Sequence, residues 1–339
     1  MRSRVEKDPA PFCLLLEVQC VFILFILICV LIGLALILLA VLFTIGLCRT
    51  LRPIPADAVP PSVPQEYARL IREGVAWFRS QSTEPVSITS YDGLRLDGLL
   101  LPAETERTRG TLILVHGWRS SGYNDFSGAY QYYHDLGYRI LNIFQRAHGT
   151  SQGRFTCFGV KERYDCQSWA RYIQDRFGPE EDIFFSGISM GASAVLLAAG
   201  LELPANVRGI VADCGFTSAW DEFAYVLPHY FHLPARPILD IEDLLCRLIA
   251  GFGFRDCSVP ESLAQATIPV LFIHGGADDF VPTEMGRRNY QACAAPKDLV
   301  IVEGAGHGLS YVTEQPRVQS AMENWFSKWG TFSEYSTSK

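Results

Sequence analysis

No charged residue interrupts the chain from 18 to 48, where apolar side chains follow one another almost without relief. At about 1.5 Å of rise per residue, such a helix outruns the roughly 30 Å hydrocarbon core of a bilayer yet is too short to cross it twice. The run predicts one tilted transmembrane anchor at 18–48 behind a short flank at 1–17. A cleaved signal peptide is the competing reading. Against it, the apolar stretch is about twice the usual 7 to 15 residues, and the small residues Ala56 and Ala58 lie far past its end. Cys48 follows Gly46-Leu47 and so lacks the small residue that a lipoprotein cleavage site places directly before the cysteine.

The pattern then changes. Residues 49–64 hold five prolines between Arg52 and Pro64, which favours a stiff, extended linker. Next, Tyr67, Leu70, Ile71, Val75, Trp77 and Phe78 recur at helical spacing opposite Glu66, Arg69, Arg72 and Glu73. Mixed charge on the outer face suits a helix packed on a protein body better than one lying on lipid, where a basic face is favoured. Two short strands, 86–90 and 94–101, flank the hairpin turn Tyr91-Asp92-Gly93. Short apolar runs at 111–115, 139–144, 183–188, 207–212, 270–273 and 299–302 then alternate with helical stretches. That rhythm predicts an α/β body at 65–330, with a mostly parallel central sheet and helices on both faces. Its longest interruption, 219–265, is rich in aromatics (Trp220, Phe223, Tyr225, Tyr230, Phe231, Phe252) and is expected to form a small helical cover with an apolar underside. Residues 331–339 form a polar tail.

Composition adds exclusions. The 339 residues carry a formal net charge of -7 with no basic stripe, so nucleic acid is not an expected partner. Arg2, Arg4 and Lys7 outweigh Arg49 and Arg52 across the anchor, and the positive-inside rule turns the domain outward, to an extracytoplasmic location. Cys13, Cys20, Cys29 and Cys48 lie near the anchor, and Cys157, Cys166, Cys214, Cys246, Cys257 and Cys293 in the body. An even six permits disulfides in an exported domain, but a body this large has core enough without them, and free thiols are favoured. None has zinc spacing, and no acid or cysteine completes a ligand set around His229 and His232. No metal or cofactor is expected.

The candidate chemistry centres on Gly187-Ile188-Ser189-Met190-Gly191, which joins an apolar strand to a helix of small residues. Strand, tight turn and helix are the context that a nucleophile elbow requires. A serine hydroxyl needs an imidazole to take its proton and a carboxylate to orient that imidazole. Downstream, Asp278 follows the strand at 270–273, and His307 follows the strand at 299–302 inside Gly304-Ala305-Gly306-His307-Gly308. His116 and His274 precede glycines at strand ends and support turns, His134 lies in an aromatic helix, and His148 precedes the serine. Asp213 is the rival acid, and Asp279 is read as solvated or as a helix cap. The oxyanion of a tetrahedral intermediate would be held by the backbone amides of Met190 and of Trp118, the latter in the loop His116-Gly117-Trp118-Arg119. The Trp118 indole either walls the pocket or plugs it. In the segment 145–153, Arg146 either ties down a carboxylate or grips one on a substrate.

These motifs, with Asp213-Cys214-Gly215-Phe216-Thr217-Ser218 and the Arg146 loop, resemble the serine hydrolases of the α/β-hydrolase superfamily. More narrowly they resemble bacterial membrane-anchored proteins of serine aminopeptidase-like or dienelactone-hydrolase-like type. The resemblance spans about 65–330 and implies an α/β-hydrolase fold and acyl transfer through Ser189, Asp278 and His307 on a small-molecule ester, thioester or amide. Two other readings stay open. An aminopeptidase would use a cover carboxylate, Glu222 or Glu242, to hold a free amine, and a catalytically silent binding protein would use the fold alone.

Overall fold

The computed structural model describes residues 11–59, 63–104 and 108–331, with the backbone alone for 11–18. The flank residues Arg2, Arg4 and Lys7, the centre of the proline-rich linker and the tail from 332 lie outside the described residues. The chain forms two compact units that meet in sequence at Gly46 and Leu47. The first is helix α1 (Pro11–Leu47). Its portion Gln19–Leu47 is long and apolar enough to be a candidate transmembrane span.

The second unit opens with α2 (Gln65–Ser80), β1 (Glu84–Thr89) and β2 (Arg95–Leu101). There follow β3 (Thr111–Val115), α3 (Tyr130–Asp135), β4 (Arg139–Ile143), α4 (Glu162–Phe177), β5 (Ile183–Ile188) and α5 (Met190–Ala198). After β6 (Val207–Asp213) come three helices, α6 (Ala219–Tyr230), α7 (Ala235–Ile249) and α8 (Val259–Leu263). The chain closes with β7 (Val270–Gly275), α9 (Thr283–Ala292), β8 (Lys297–Val302), α10 (Ser310–Thr313) and α11 (Gln315–Trp329). The eight strands form one sheet in the order β1-β2-β4-β3-β5-β6-β7-β8. β1 and β2 pair antiparallel, as do β2 and β4, and every later pairing is parallel. This is the α/β-hydrolase fold.

Side-chain alternation explains why the central strands read as unbroken apolar runs. Along β3, Ile113 and Val115 face one core with Leu141, Phe185, Val195 and Trp169, while Leu112 and Leu114 face the other with Phe78, Tyr130 and Phe326. A parallel sheet covered on both faces has no polar side to show. On α2, Ala68, Ile71, Val75 and Phe78 are buried, and Phe78 stacks on Tyr130 at 4.1 Å. Leu70, read from spacing as part of that stripe, faces outward.

Between β6 and β7, α6 starts at Ser218, whose hydroxyl accepts the Asp221 amide at 3.0 Å. α8 starts at Ser258, which accepts the Glu261 amide at 3.2 Å. Val259 and Leu263 are fully buried in the same core as Val195 and Leu196, so α8 packs on the body and only α6 and α7 stand over it.

Candidate active site

Ser189 sits between β5 and α5 with φ 56° and ψ -119°, a left-handed conformation that costs a non-glycine residue strain. The neighbouring glycines make it attainable. A Cβ on Gly191 would collide with the carbonyl oxygens of Val115 and His116, and one on Gly187 would sit 2.6 Å from the Gly191 carbonyl oxygen. The Ser189 amide donates to the Asp213 carbonyl at 2.9 Å, which anchors the turn to β6.

Three remote side chains meet here. His307, in the loop after β8, places Nε2 2.9 Å from Ser189 Oγ and Nδ1 2.8 Å from Asp278 Oδ2. The other Asp278 oxygen accepts the amides of Phe280 and Val281 at 3.0 and 2.9 Å. The Asp278 side chain is fully buried whereas His307 is 24% exposed, so the imidazole is the member of this pair that reaches solvent. Gly304 and Gly308, at φ 77° and 66°, bracket the histidine loop and let it fold back over the strand ends.

The other acids do different things. Asp213 is buried and accepts the Ser310 hydroxyl at 2.9 Å. Burial pushes its carboxyl up to about 6, against the lowering effect of that bond. Asp279 is exposed, and α9 has no side-chain cap, so the capping role read for Asp279 does not hold.

The loop after β3 is tied on every side. His116 Nε2 accepts the Gln145 amide at 3.0 Å, which leaves the proton on Nδ1 to donate to the Gly117 carbonyl at 2.8 Å. The Gln145 side chain donates to the His116 carbonyl. His148 Nε2 accepts the Arg119 amide at 3.1 Å, and its Nδ1 donates to the Arg146 carbonyl at 2.9 Å. Burial lowers both imidazoles, to about 4 for His116 and about 3 for His148, so both are neutral braces. Asp125 completes the frame by accepting the Gly117 amide at 2.6 Å and the Ser120 hydroxyl at 2.9 Å. Burial raises its carboxyl despite those two bonds. The sequence reading missed Asp125, whose place beside Gly117 depends on a loop bend that no motif marks.

A cavity of about 710 Å³ opens at Ser189. Gly117, Trp118, Asp125 and His307 line it, as do Tyr133, Val211, Leu309, Val312 and Met322. Trp118 thus stands on a wall of the cavity, while Met190, the first residue of α5, has a fully buried side chain. The cover aromatics expected to roof this space mostly pack elsewhere. Of the six, Tyr230 lines the cavity, Phe223 packs on Phe158 and Phe254, and Trp220 lies under the Arg255 guanidinium. The cavity lies between the sheet and the helices α3, α10 and α11. Arg146 is buried away from the cavity, with bidentate contacts to Asp165 (2.7 and 2.7 Å) and Asp92 (2.9 and 3.1 Å) that tie α4 to the first hairpin. Glu222 and Glu242 are buried in α6 and α7 and do not line the cavity. His229 stacks on Tyr225 at 3.9 Å. Each described cysteine is a free thiol.

Fold and site together define a hydrolase of the α/β type. Residues 112–321 match the model of the alpha/beta hydrolase family, and the chain belongs to that family. Among curated relatives, the uncharacterized protein YqkD of Bacillus subtilis is 31% identical over 221 residues, 64% of this chain and 72% of that protein. YfhR of Escherichia coli K12 is 26% identical over 234 residues, 67% of this chain and 74% of that protein. Among solved structures, the Pyrococcus furiosus esterase Pf2001 superposes with a TM-score of 0.58 at 21% identity, covering 80% of this chain and 96% of its own. The acylaminoacyl peptidase of Pyrococcus horikoshii gives 0.54 at 18% identity, over 76% and 44%. At these identities the structural likeness establishes the fold.

Proposed function

We propose that the chain is a membrane-anchored serine hydrolase that cleaves carboxylic esters, and by the same chemistry thioesters or amides, through an acyl-enzyme intermediate. The observation that carries this reading is the hydrogen-bonded series Ser189 Oγ, His307 Nε2, His307 Nδ1, Asp278 Oδ2, with links of 2.9 and 2.8 Å and with Ser189 and His307 lining a cavity. Ser189 Oγ attacks the acyl carbon as His307 Nε2 takes its proton. Asp278 holds the proton on Nδ1 and stabilises the imidazolium. The amides of Trp118 and Met190 receive the oxyanion; Asp125 and His148 support the first by pinning its neighbours Gly117 and Arg119, and the second is free of an intrahelical acceptor by its place at a helix start. His307 returns the proton to the leaving group, and water repeats the sequence to release the acid. The two cover carboxylates read for an aminopeptidase, Glu222 and Glu242, do not border the cavity; the exposed carboxylate that lines it is Asp279.

Anchoring rests on α1 as a membrane span, and the domain is read as lying outside the membrane. Folded protein should label at Ser189 with a fluorophosphonate and hydrolyse p-nitrophenyl butyrate, and Ser189→Ala should do neither. Labelling that survives in Ser189→Ala would remove the serine from the mechanism. External protease added to intact cells should degrade the domain, and full protection would reverse the orientation.

A further inference from the structure

Exposed apolar side chains are unevenly spread over the domain. Among its described residues, six of the nine large ones fall between 230 and 249: Tyr230, Phe231, Ile241, Leu244, Leu248 and Ile249. Four of them lie on α7 at spacings of three, four and one, which places them on one face of the helix. The opposite face is buried and carries Leu239 and Cys246 beside two carboxylates, Glu242 and Asp243. α7 is therefore inverted. Acids turn toward the body while Leu248, 74% exposed, turns to the outside. Water is a poor environment for such a face, and a contiguous apolar patch of this kind marks a docking surface.

The connectivity says what covers it. The chain joins the domain immediately after α1, where Thr156 donates to the Leu47 carbonyl at 2.8 Å and Arg49 donates to the Arg154 carbonyl at 2.8 Å. Two residues further on, the Phe158 ring lies 4.5 Å from Phe223 of α6, and Lys161 Nζ donates to Ala250, which ends α7, at 3.0 Å. One short segment, 154–161, thus links the attachment of the anchor to the end of the inverted helix. Leu51, four residues past the end of α1, is fully exposed. Two cations flanking the patch are already paired, Arg247 with Asp243 and Asp256 and Arg255 with Asp240, which weakens the case for an acidic protein partner.

We propose that the outward face of α7, together with Tyr230 and Phe231, is a lipid-docking surface that seats the cover in the bilayer crossed by α1. The inference rests on the reading of α1 as a membrane span. A consequence follows for substrate. Tyr230 belongs both to the patch and to the lining of the cavity, where it packs edge-on to Phe280 at 5.5 Å. The cavity mouth then borders the bilayer surface, and the substrate class is an amphiphilic ester delivered from that surface.

The test uses the full chain, one copy per phosphatidylcholine nanodisc, with an environment-sensitive nitrobenzoxadiazole amino acid at position 248 or, separately, at the exposed Glu180 before β5. Doxyl-labelled phosphatidylcholine should quench the probe at 248 at least twice as strongly as the probe at 180. Equal quenching overturns the proposal, as does a probe at 248 that responds only when two copies share a disc. The double variant Leu244→Asp with Leu248→Asp should keep fluorophosphonate labelling and turnover of dissolved p-nitrophenyl butyrate, and lose at least fivefold on a long-chain ester embedded in the disc. Unchanged turnover of the embedded ester refutes delivery from the bilayer. Release of the chain from membranes by alkaline carbonate would refute the span itself, and absent labelling of wild type would refute the serine mechanism while leaving the depth measurement standing.

Discussion

Asp278→Asn tests the mechanism most sharply, because the surroundings of the carboxylate dictate how an amide must sit there. One Asp278 oxygen accepts two backbone amides, from Phe280 and Val281, and the other meets His307 Nδ1 at 2.8 Å. In the variant, the side-chain carbonyl must take the first position. The reverse orientation would aim an NH2 group at two backbone donors and deprive both of their acceptor, at about 1 to 3 kcal/mol for the buried Val281 amide and less for the partly buried Phe280 amide. The NH2 group therefore faces Nδ1 and can only donate, so the ring proton moves to Nε2. That nitrogen then points a hydrogen at Ser189 Oγ, 2.9 Å away in the native protein, instead of a lone pair. A base held in the wrong tautomer costs about 10³ to 10⁴ in kcat, or roughly 4 to 5.5 kcal/mol. KM should change little, since the Asp278 side chain is fully buried and does not line the cavity. Initial rates on p-nitrophenyl butyrate, with fluorophosphonate labelling rates alongside, measure this, and Asp213→Asn and Asp279→Asn serve as controls that should stay within about tenfold of wild type. An Asp278→Asn enzyme within tenfold of wild type, or an equal loss in Asp213→Asn, would refute the tautomer argument.

Other outcomes follow from the same structure. Asp213, pushed up to about 6 by burial, binds a proton more tightly in the folded chain than in the unfolded one, so it destabilises the fold as pH rises from about 4 to 6 and by a constant amount above that, about 3 kcal/mol. Calorimetry should accordingly find the melting temperature of Asp213→Asn, relative to wild type, rising by roughly 5 °C between pH 4 and 8, and a pH-independent difference would count against a raised native carboxyl. Asp125→Ala should lower kcat about tenfold to a hundredfold by freeing the Gly117 amide that steadies the oxyanion loop, with unchanged turnover arguing that the loop holds itself. Gly191→Ala should give little soluble protein, or a loss of about 3 kcal/mol in denaturant melts, because its Cβ meets two backbone carbonyls that cannot move aside; near-native stability would show that the elbow relaxes.

What the sequence determined by itself is local and periodic. Apolar runs bounded by turn residues marked β3 through β8 to within a few residues, and Gly187 and Gly191 around Ser189 marked a turn that few residues can make, since backbone sterics are read from neighbours along the chain. Tertiary structure alone decided which groups share a point in space. Asp213, Asp278 and Asp279 all follow strands in the sequence. Only the packing of three loops turned Asp278 to His307, gave Asp213 to Ser310 and left Asp279 exposed on the cavity lining. The same holds for Asp125 beneath Gly117, for cover aromatics that face Phe158 rather than the cavity, and for α7, whose periodicity announces two unlike faces without saying which is outward. Periodicity fixes how side chains are distributed around an element. The direction each face takes is set by the contacts of the whole chain, which bring together residues as far apart as Ser189 and His307, 118 positions from one another.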